Sequence, residues 1–332
     1  MPLEDDVKAT AAAGSNIAIV KYWGTRDALL NLPANGSISL TLDAAATTTS
    51  VHFDPALKTD ALVLDGHDTG GDALARVSAH LDRLRSLAGV TLCAYVDSRN
   101  TFPTGAGIAS SASGFAALTL AGAVALRLRL SPRELSVLAR MASGSACRSV
   151  IGGWAEWLAG TRHEDSYAVQ VAPPEYWDVR DLVAVVSREP KAVSSTLGHA
   201  RAATSPLFAS RLRDVETALP AARRAILARD FHSLGALAEA DALSMHAIML
   251  TSRPPLLYWL PTTLEVIRAV WAWRAEGAPC YFTIDAGPNV HVLALPDAAR
   301  EIHARLEAMP CVEQVIACGP GPGPVVFEEQ TL

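Results

Sequence analysis

The chain has 332 residues, half of them apolar and 19% charged, with 28 basic against 34 acidic side chains and a formal net charge of −6. That much apolar material fills a sizeable core, so a disordered chain is excluded, and the length calls for two domains or one large one. The net negative charge and the lack of any basic run exclude a general nucleic-acid or membrane-surface binder, while a small anionic ligand held by a few local cations stays open.

The most apolar stretches, 116–126 and 182–186, are far shorter than the roughly 20 residues of a membrane-spanning helix. The opening MPLEDDVKAT is acidic and lacks the basic-then-apolar order of a secretory signal. Cys93, Cys147, Cys280, Cys311 and Cys318 are widely spaced with no CxxC, and read as reduced thiols in a cytoplasmic protein.

The first hundred residues read mostly as strands and turns. Runs at 16–22, 37–42, 47–53 and 90–96 are β-branched or alternating and are separated by Gly, Pro and Asn, with an amphipathic helix at 73–87. A glycine-rich stretch then leads into a helix at 110–128, alanine-rich on nearly every face. A second helix opens at Ser131, with Pro132 at its first position and Glu134 completing a capping box. Residues 181–187 read as a buried strand and 188–205 as a polar, turn-prone connector. Three long helices follow at 206–228, 231–250 and 257–276. Strands at 280–284 and 290–295, a helix at 298–309 and a strand at 312–317 come next, and the Gly-Pro alternation of 319–324 marks a turn before the tail. Strands and helices mix without regular βαβ alternation, so the expected class is α+β in two lobes, 1–188 and 189–332.

Four segments concentrate residues that a packed core does not need. Residues 103–113, PTGAGIASSAS, place Gly105, Gly107 and three serines between a strand and a long helix. Backbone N–H groups turned inward and a helix N-terminus suit a phosphate, and a small-residue turn for close helix packing is the plain alternative. Neither GK[ST] nor GxGxxG is present, so this is not a Walker loop or a dinucleotide fingerprint. Lys21 ends an apolar strand and is followed by two aromatics and a glycine; it reaches an anion or sits solvated at a strand end. Arg148 lies among tiny residues in SGSACRSVIGG, where a guanidinium faces an anion without crowding or packs on a helix surface. Asp285 ends another apolar strand and is presented by Ala-Gly-Pro, as a catalytic base, a metal ligand or a turn-capping acid. His232 and His246 lack metal-site spacing, and no GxSxG occurs.

Together, NIAIVKYWG (16–24), FPTGAGIASSASGFAAL (102–118), GSACRSVIGGWAEW (144–157), VSSTLGHARAATSP (193–206), SMHA (244–247) and CYFTIDAGPN (280–289) resemble the mevalonate diphosphate decarboxylases, a branch of the GHMP small-molecule kinase superfamily. The ASSAS loop alone points only to the superfamily; KYWG, SACRS and YFTIDAGPN point to the decarboxylase branch. The resemblance runs from residue 16 to about 325. It implies a two-lobed GHMP kinase fold, with an N-terminal ribosomal-protein-S5-like lobe and a C-terminal α/β sandwich lobe.

The reaction it implies is ATP-dependent. A tertiary 3-hydroxyl is phosphorylated, and then phosphate and CO₂ leave together to form an alkene. In this reading Asp285 orients or deprotonates the 3-hydroxyl, Lys21 supports it, and Arg148, with Asn16 near it, grips the substrate carboxylate. Pro103, Gly105, Gly107, Ser110, Ser111 and Ser113 cradle the ATP phosphates with Mg²⁺, for which Ser110 is the metal contact. Tyr22, Thr25, Ser143, Ser145 and Thr196 lie towards the 5-phosphate end.

One departure stands out. The family's usual pattern after KYWG is a lysine associated with the terminal phosphates of the 5-diphosphate, and here it is Thr25, followed by Arg26 and Asp27. The expected substrate is therefore mevalonate 5-phosphate in preference to the 5-diphosphate, giving isopentenyl phosphate. The alternatives are a standard diphosphomevalonate decarboxylase giving isopentenyl diphosphate, a mevalonate 3-kinase without decarboxylation, and a nucleotide-binding module with a decayed site. The family often forms homodimers, so a homodimer is expected, with no nucleic-acid or membrane partner.

Overall fold

Two long antiparallel strands, Val7–Val20 and Ser37–Phe53, are the spine of an eight-stranded sheet in the computed structural model, which describes residues 7–102, 110–189 and 191–331. Along Val7–Ala13 every second residue is buried, the period of a strand with one covered face. From Gly14 onward both faces are covered. The register slips between Gly14 and Asn16, and a Cβ on Gly14 would run into the Leu42 carbonyl, so only glycine fits this crossing.

The expected runs at 37–42 and 47–53 are one strand, whose break in apolar pattern is the exposed pair Asp43 and Ala44. The run placed at 90–96 forms its strand later, at Ala94–Asn100. Trp154–Trp157 and Ala168–Ala172 extend the sheet beside Ser37–Leu40, and Val325–Thr331 closes its edge against Val7–Ala12. The helix Ser110–Ala125 packs on this sheet and is buried nearly all round, as its alanine content requires. The capping box at Ser131 and Glu134 is present.

A second, four-stranded antiparallel sheet runs in the order Cys280–Thr283, Val290–Ala294, Arg180–Val185, Gln314–Cys318. Leu182 and Ala184 face the helices Pro261–Ala275 and Pro296–Glu307 on one side. Val183, Tyr281 and Leu293 face Phe208–Ala228 and Phe231–Thr251 on the other. Those last two helices also pack on Ile17, Ile19, Ile38 and Leu40, so one apolar core joins the two sheets. With helices segregated on mixed-order sheets, the class is α+β. Within the stretch expected as a connector, Ser194 caps a short helix, Ser195–Arg201. Among the described residues no helix is long and apolar enough to cross a membrane.

Candidate active site

The site forms where strands from the two sheets end side by side. Lys21 follows the end of Val7–Val20, and Asp285 lies two residues beyond Cys280–Thr283. The Ala18 carbonyl ties them together, accepting from the Thr283 hydroxyl at 3.3 Å and from Lys21 Nζ at 2.8 Å. The same ammonium donates to Asp285 Oδ1 at 2.6 Å. Lys21 is 3% exposed and Asp285 26%, so the aspartate presents its free face to the cleft with the lysine behind it. Removal from water would push the Asp285 carboxyl up, but Lys21, with His291 and Arg148, outweighs that and holds it below the usual carboxylate range. His246 Nε2 donates to the Asp285 carbonyl at 3.1 Å, and burial, then Lys21, pushes this imidazole down to about 3, so it is neutral.

The Lys21 backbone is clamped from behind. Its N–H donates to Asp241 Oδ2 at 2.8 Å, its carbonyl accepts from Arg211 Nη2 at 2.9 Å, and Arg211 and Asp241 form a fully buried ion pair. Arg211 comes from the first turn of one long helix and Asp241 from the middle of the next, and the apolar pattern of neither gave a hint of a role near the site.

Arg148 sits on the short helix Ala146–Ser149 and is 3% exposed. Its guanidinium donates to Ser37 Oγ at 2.7 Å, Ser39 Oγ at 2.9 Å and Asn16 Oδ1 at 2.8 Å. Asn16 is turned by its own amide, which donates to Ser149 Oγ at 2.8 Å and the Ser145 carbonyl at 3.1 Å. Among the described residues no carboxylate pairs with Arg148. A buried cation held only by neutral oxygens is a ready site for an incoming anion.

A cleft of about 570 Å³ opens over this corner. Its walls include Lys21, Tyr22, Thr25, Ser110, Ser111, Ser143, Ser145, Arg148, Thr196 and Asp285, which brings most of the sequence-derived site residues together. Asn16 is buried behind Arg148. Ser113 is fully buried with its hydroxyl on Thr47 Oγ1 at 2.6 Å, so it faces the sheet and lines neither cavity. Pro103, Gly105 and Gly107 lie outside the described residues.

Three wall residues had no sequence signal as ligands: Arg76, Lys191 and His199. Lys191 donates to the Ala286 carbonyl at 2.7 Å, beside Asp285. Among the described wall residues Lys21, Arg76, Arg148 and Lys191 stand against Asp285 alone, so the cleft is locally cationic in a net-acidic protein. A smaller cavity of about 190 Å³, walled by Leu62, Leu64, Val77, Val96 and Phe115, shares Ser110, Ser111 and Arg76 with the cleft. No group of three or more His, Cys, Asp or Glu among the described residues could hold a metal ion. The cations of this wall fit phosphate oxygens, and its serine hydroxyls fit a hard cation that arrives on those oxygens and keeps its waters, as Mg²⁺ does.

Two sheets meeting at a lysine–aspartate seam, beside a serine-rich helix start, define a two-lobed GHMP-type small-molecule kinase fold. The solved structure of MDDEF in complex with MVAPP, AMPPCP and magnesium has the same architecture, with a TM-score of 0.92 and 41% identity over 97% of this chain and 99% of that one. Residues 13–168 match the family model of the diphosphomevalonate decarboxylase-like N-terminal domain, and residues 181–326 that of the mevalonate 5-diphosphate decarboxylase C-terminal domain. The chain belongs to the mevalonate diphosphate decarboxylase family. It is 40% identical to the diphosphomevalonate decarboxylase mvd1 of Aspergillus fumigatus over 91% of this chain and 80% of that one. It is also 33% identical to the phosphomevalonate decarboxylase of Haloferax volcanii over 98% of this chain and 100% of the relative.

Proposed function

We propose that this member of the family is an ATP- and Mg²⁺-dependent decarboxylase that takes mevalonate 5-phosphate in preference to the 5-diphosphate. The ionised Asp285 carboxylate accepts a hydrogen bond from the 3-hydroxyl and aims its oxygen at the γ-phosphoryl group. A carboxyl held this low is a weak base. Its work is orientation first and proton acceptance late, which suits a loose phosphoryl-transfer transition state. Lys21 fixes the carboxylate and keeps it charged. Arg148 binds the substrate carboxylate. When the C3–O bond breaks, phosphate takes its electron pair; the C–CO₂ bond then supplies the pair that forms the alkene. Mg²⁺ neutralises charge on the transferring phosphoryl group when bound. Ser110 and Ser111 line the phosphate region, and the small apolar cavity beside them suits the nucleobase.

The preference for one phosphate rests on Thr25. It stands on the cleft wall, where the family pattern has lysine, and its neighbour Arg26, at a register irregularity of the short strand, is exposed and off the wall. Nothing on the adjacent strand replaces the missing cation. The test is kcat/KM with both substrates. Wild type favours the 5-phosphate, and Thr25→Lys moves the ratio towards the diphosphate by about tenfold to a hundredfold, the scale of a charge-assisted contact. A wild-type preference for the diphosphate overturns the reading. A homodimer in the cytoplasm belongs to the same proposal, and the mass in solution by light scattering checks the dimer.

A further inference from the structure

His199 is held more tightly than a cleft-wall side chain needs to be. It comes from the helix Ser195–Arg201, which lies close on Trp23: a Cβ on the neighbouring Gly198 would stand 2.7 Å from the indole. The imidazole stacks on Tyr22, with ring centroids 4.4 Å apart and 16° between planes, and leans on Trp23 at 4.3 Å. Its Nδ1 accepts the Gly24 N–H at 3.1 Å. An Nδ1 that accepts is unprotonated, so the ring proton is on Nε2. Burial, followed by Lys191 and Arg148, pushes the imidazole down to about 3, so this tautomer carries no charge at working pH. Nε2 makes no hydrogen bond to any described residue, and the ring lines the cleft.

Beside it on the wall are the hydroxyls of Tyr22 and Thr25; the cations near the ring are Lys191 and Arg148, and Arg26 of the strand Thr25–Asp27 adds none to the wall. A fixed N–H that cannot turn into an acceptor selects an oxygen ligand. We propose that His199 is a specificity-determining residue for the substrate's 5-phosphoryl group, donating from Nε2 to a phosphate oxygen. This rests on the reading that the chain acts on a 5-phosphorylated mevalonate. A neutral donor here suits a phosphate of low charge, where a lysine suits a higher one.

The experiment compares His199→Met, which keeps the volume and removes the donor, with His199→Gln, whose amide reaches the Nε2 position. Each is assayed with the 5-phosphate and the 5-diphosphate, at saturating and at varied ATP. His199→Met raises KM for the phosphorylated mevalonate roughly tenfold to a hundredfold, the scale of a hydrogen bond to a charged group, with kcat and the KM for ATP little changed. His199→Gln recovers most of the loss. Equal losses in both variants, an unchanged KM in His199→Met, or a matching rise in the KM for ATP overturns the inference. If His199→Met does not fold, ¹⁵N-histidine NMR of the wild type decides. Mevalonate 5-phosphate moves the His199 Nε2–H resonance, and no movement at saturation overturns the proposal. The substrate preference of the wild type is read separately, so a failed monophosphate reading and a failed His199 role give different results.

Discussion

Lys21 and Asp285 sit on the ends of strands from two different sheets, joined through the Ala18 carbonyl and backed by the buried Arg211–Asp241 pair. Four residues along the chain, Thr25 rides on a three-residue strand that pairs only with Leu32–Pro33, facing a seven-residue helix. The first region is charged, cross-linked and anchored in the core that joins the sheets. The second is built from short pieces that turn a hydroxyl, Thr25, and an uncharged imidazole, His199, to the cleft. Chemistry that needs an aspartate and a lysine held at 2.6 Å is placed just past two strand ends, where the sheets and the Ala18 carbonyl fix the backbone. Selectivity is carried by short segments, where one side chain changes the charge presented to a phosphate without disturbing the core.

The strongest way to break this contrast is at the corner. Asp285→Asn lowers kcat by at least about a hundredfold, the scale of an essential acid–base group, and leaves a buried lysine without its partner. Near-normal turnover in a single-turnover assay removes Asp285 from the mechanism. Arg148→Ala follows. It lowers kcat/KM for the phosphorylated mevalonate by up to about a hundredfold while ATP affinity, measured by calorimetry, stays unchanged. Equal damage to ATP binding places Arg148 in the nucleotide site instead. Asp241→Asn touches no ligand. It unclamps the Lys21 backbone and lowers kcat about tenfold, with a fall in Tm from the broken Arg211 pair and an unchanged preference between the two substrates. A changed preference would mean that the corner and the wall are one unit.

The corner was legible in the sequence because its residues end apolar runs: NIAIV before Lys21 and CYFTI before Asp285 put a charged side chain where a strand must stop. The residues that hold it were not. Asp241 and Arg211 lie inside helices, and nothing local distinguishes a buried ion pair from a solvated face. The closing strand Val325–Thr331 was hidden because its partner is the first strand of the chain, a pairing no local pattern encodes. His199 was hidden in a polar stretch that reads as turn. Ser113 lies away from the cleft for a geometric reason: two residues after Ser111 it has turned about 200° round the helix and onto Thr47.

The smallest expected effect is on pH. Between about pH 5 and 8 the corner does not titrate, because Asp285 is held below the ordinary carboxylate value of about 4 and stays ionised throughout. His246 and His199, both pushed down to about 3, stay neutral over the same range. A plot of kcat against pH is therefore flat across this window on its acid side. In kcat/KM the substrate's own phosphate enters, with a second pKa of about 6, so that curve bends there while kcat does not. Stability behaves differently, and its sign can be worked out. A carboxyl with a lowered folded value contributes stability above its unfolded value, lost only as pH falls through the lower one, so Asp285 costs nothing at pH 5. For a histidine kept neutral by the fold, the unfolded chain binds a proton below about pH 6.5 that the folded chain does not, so stability falls as pH drops from there towards 3. His80, fully buried and also at about 3, adds to the same slope. The wild type therefore keeps its kcat at pH 5 while its Tm declines, and His199→Gln removes one contributor and makes the decline shallower. An acid limb in kcat near pH 6 would put a titrating group in the corner and end the contrast with the wall.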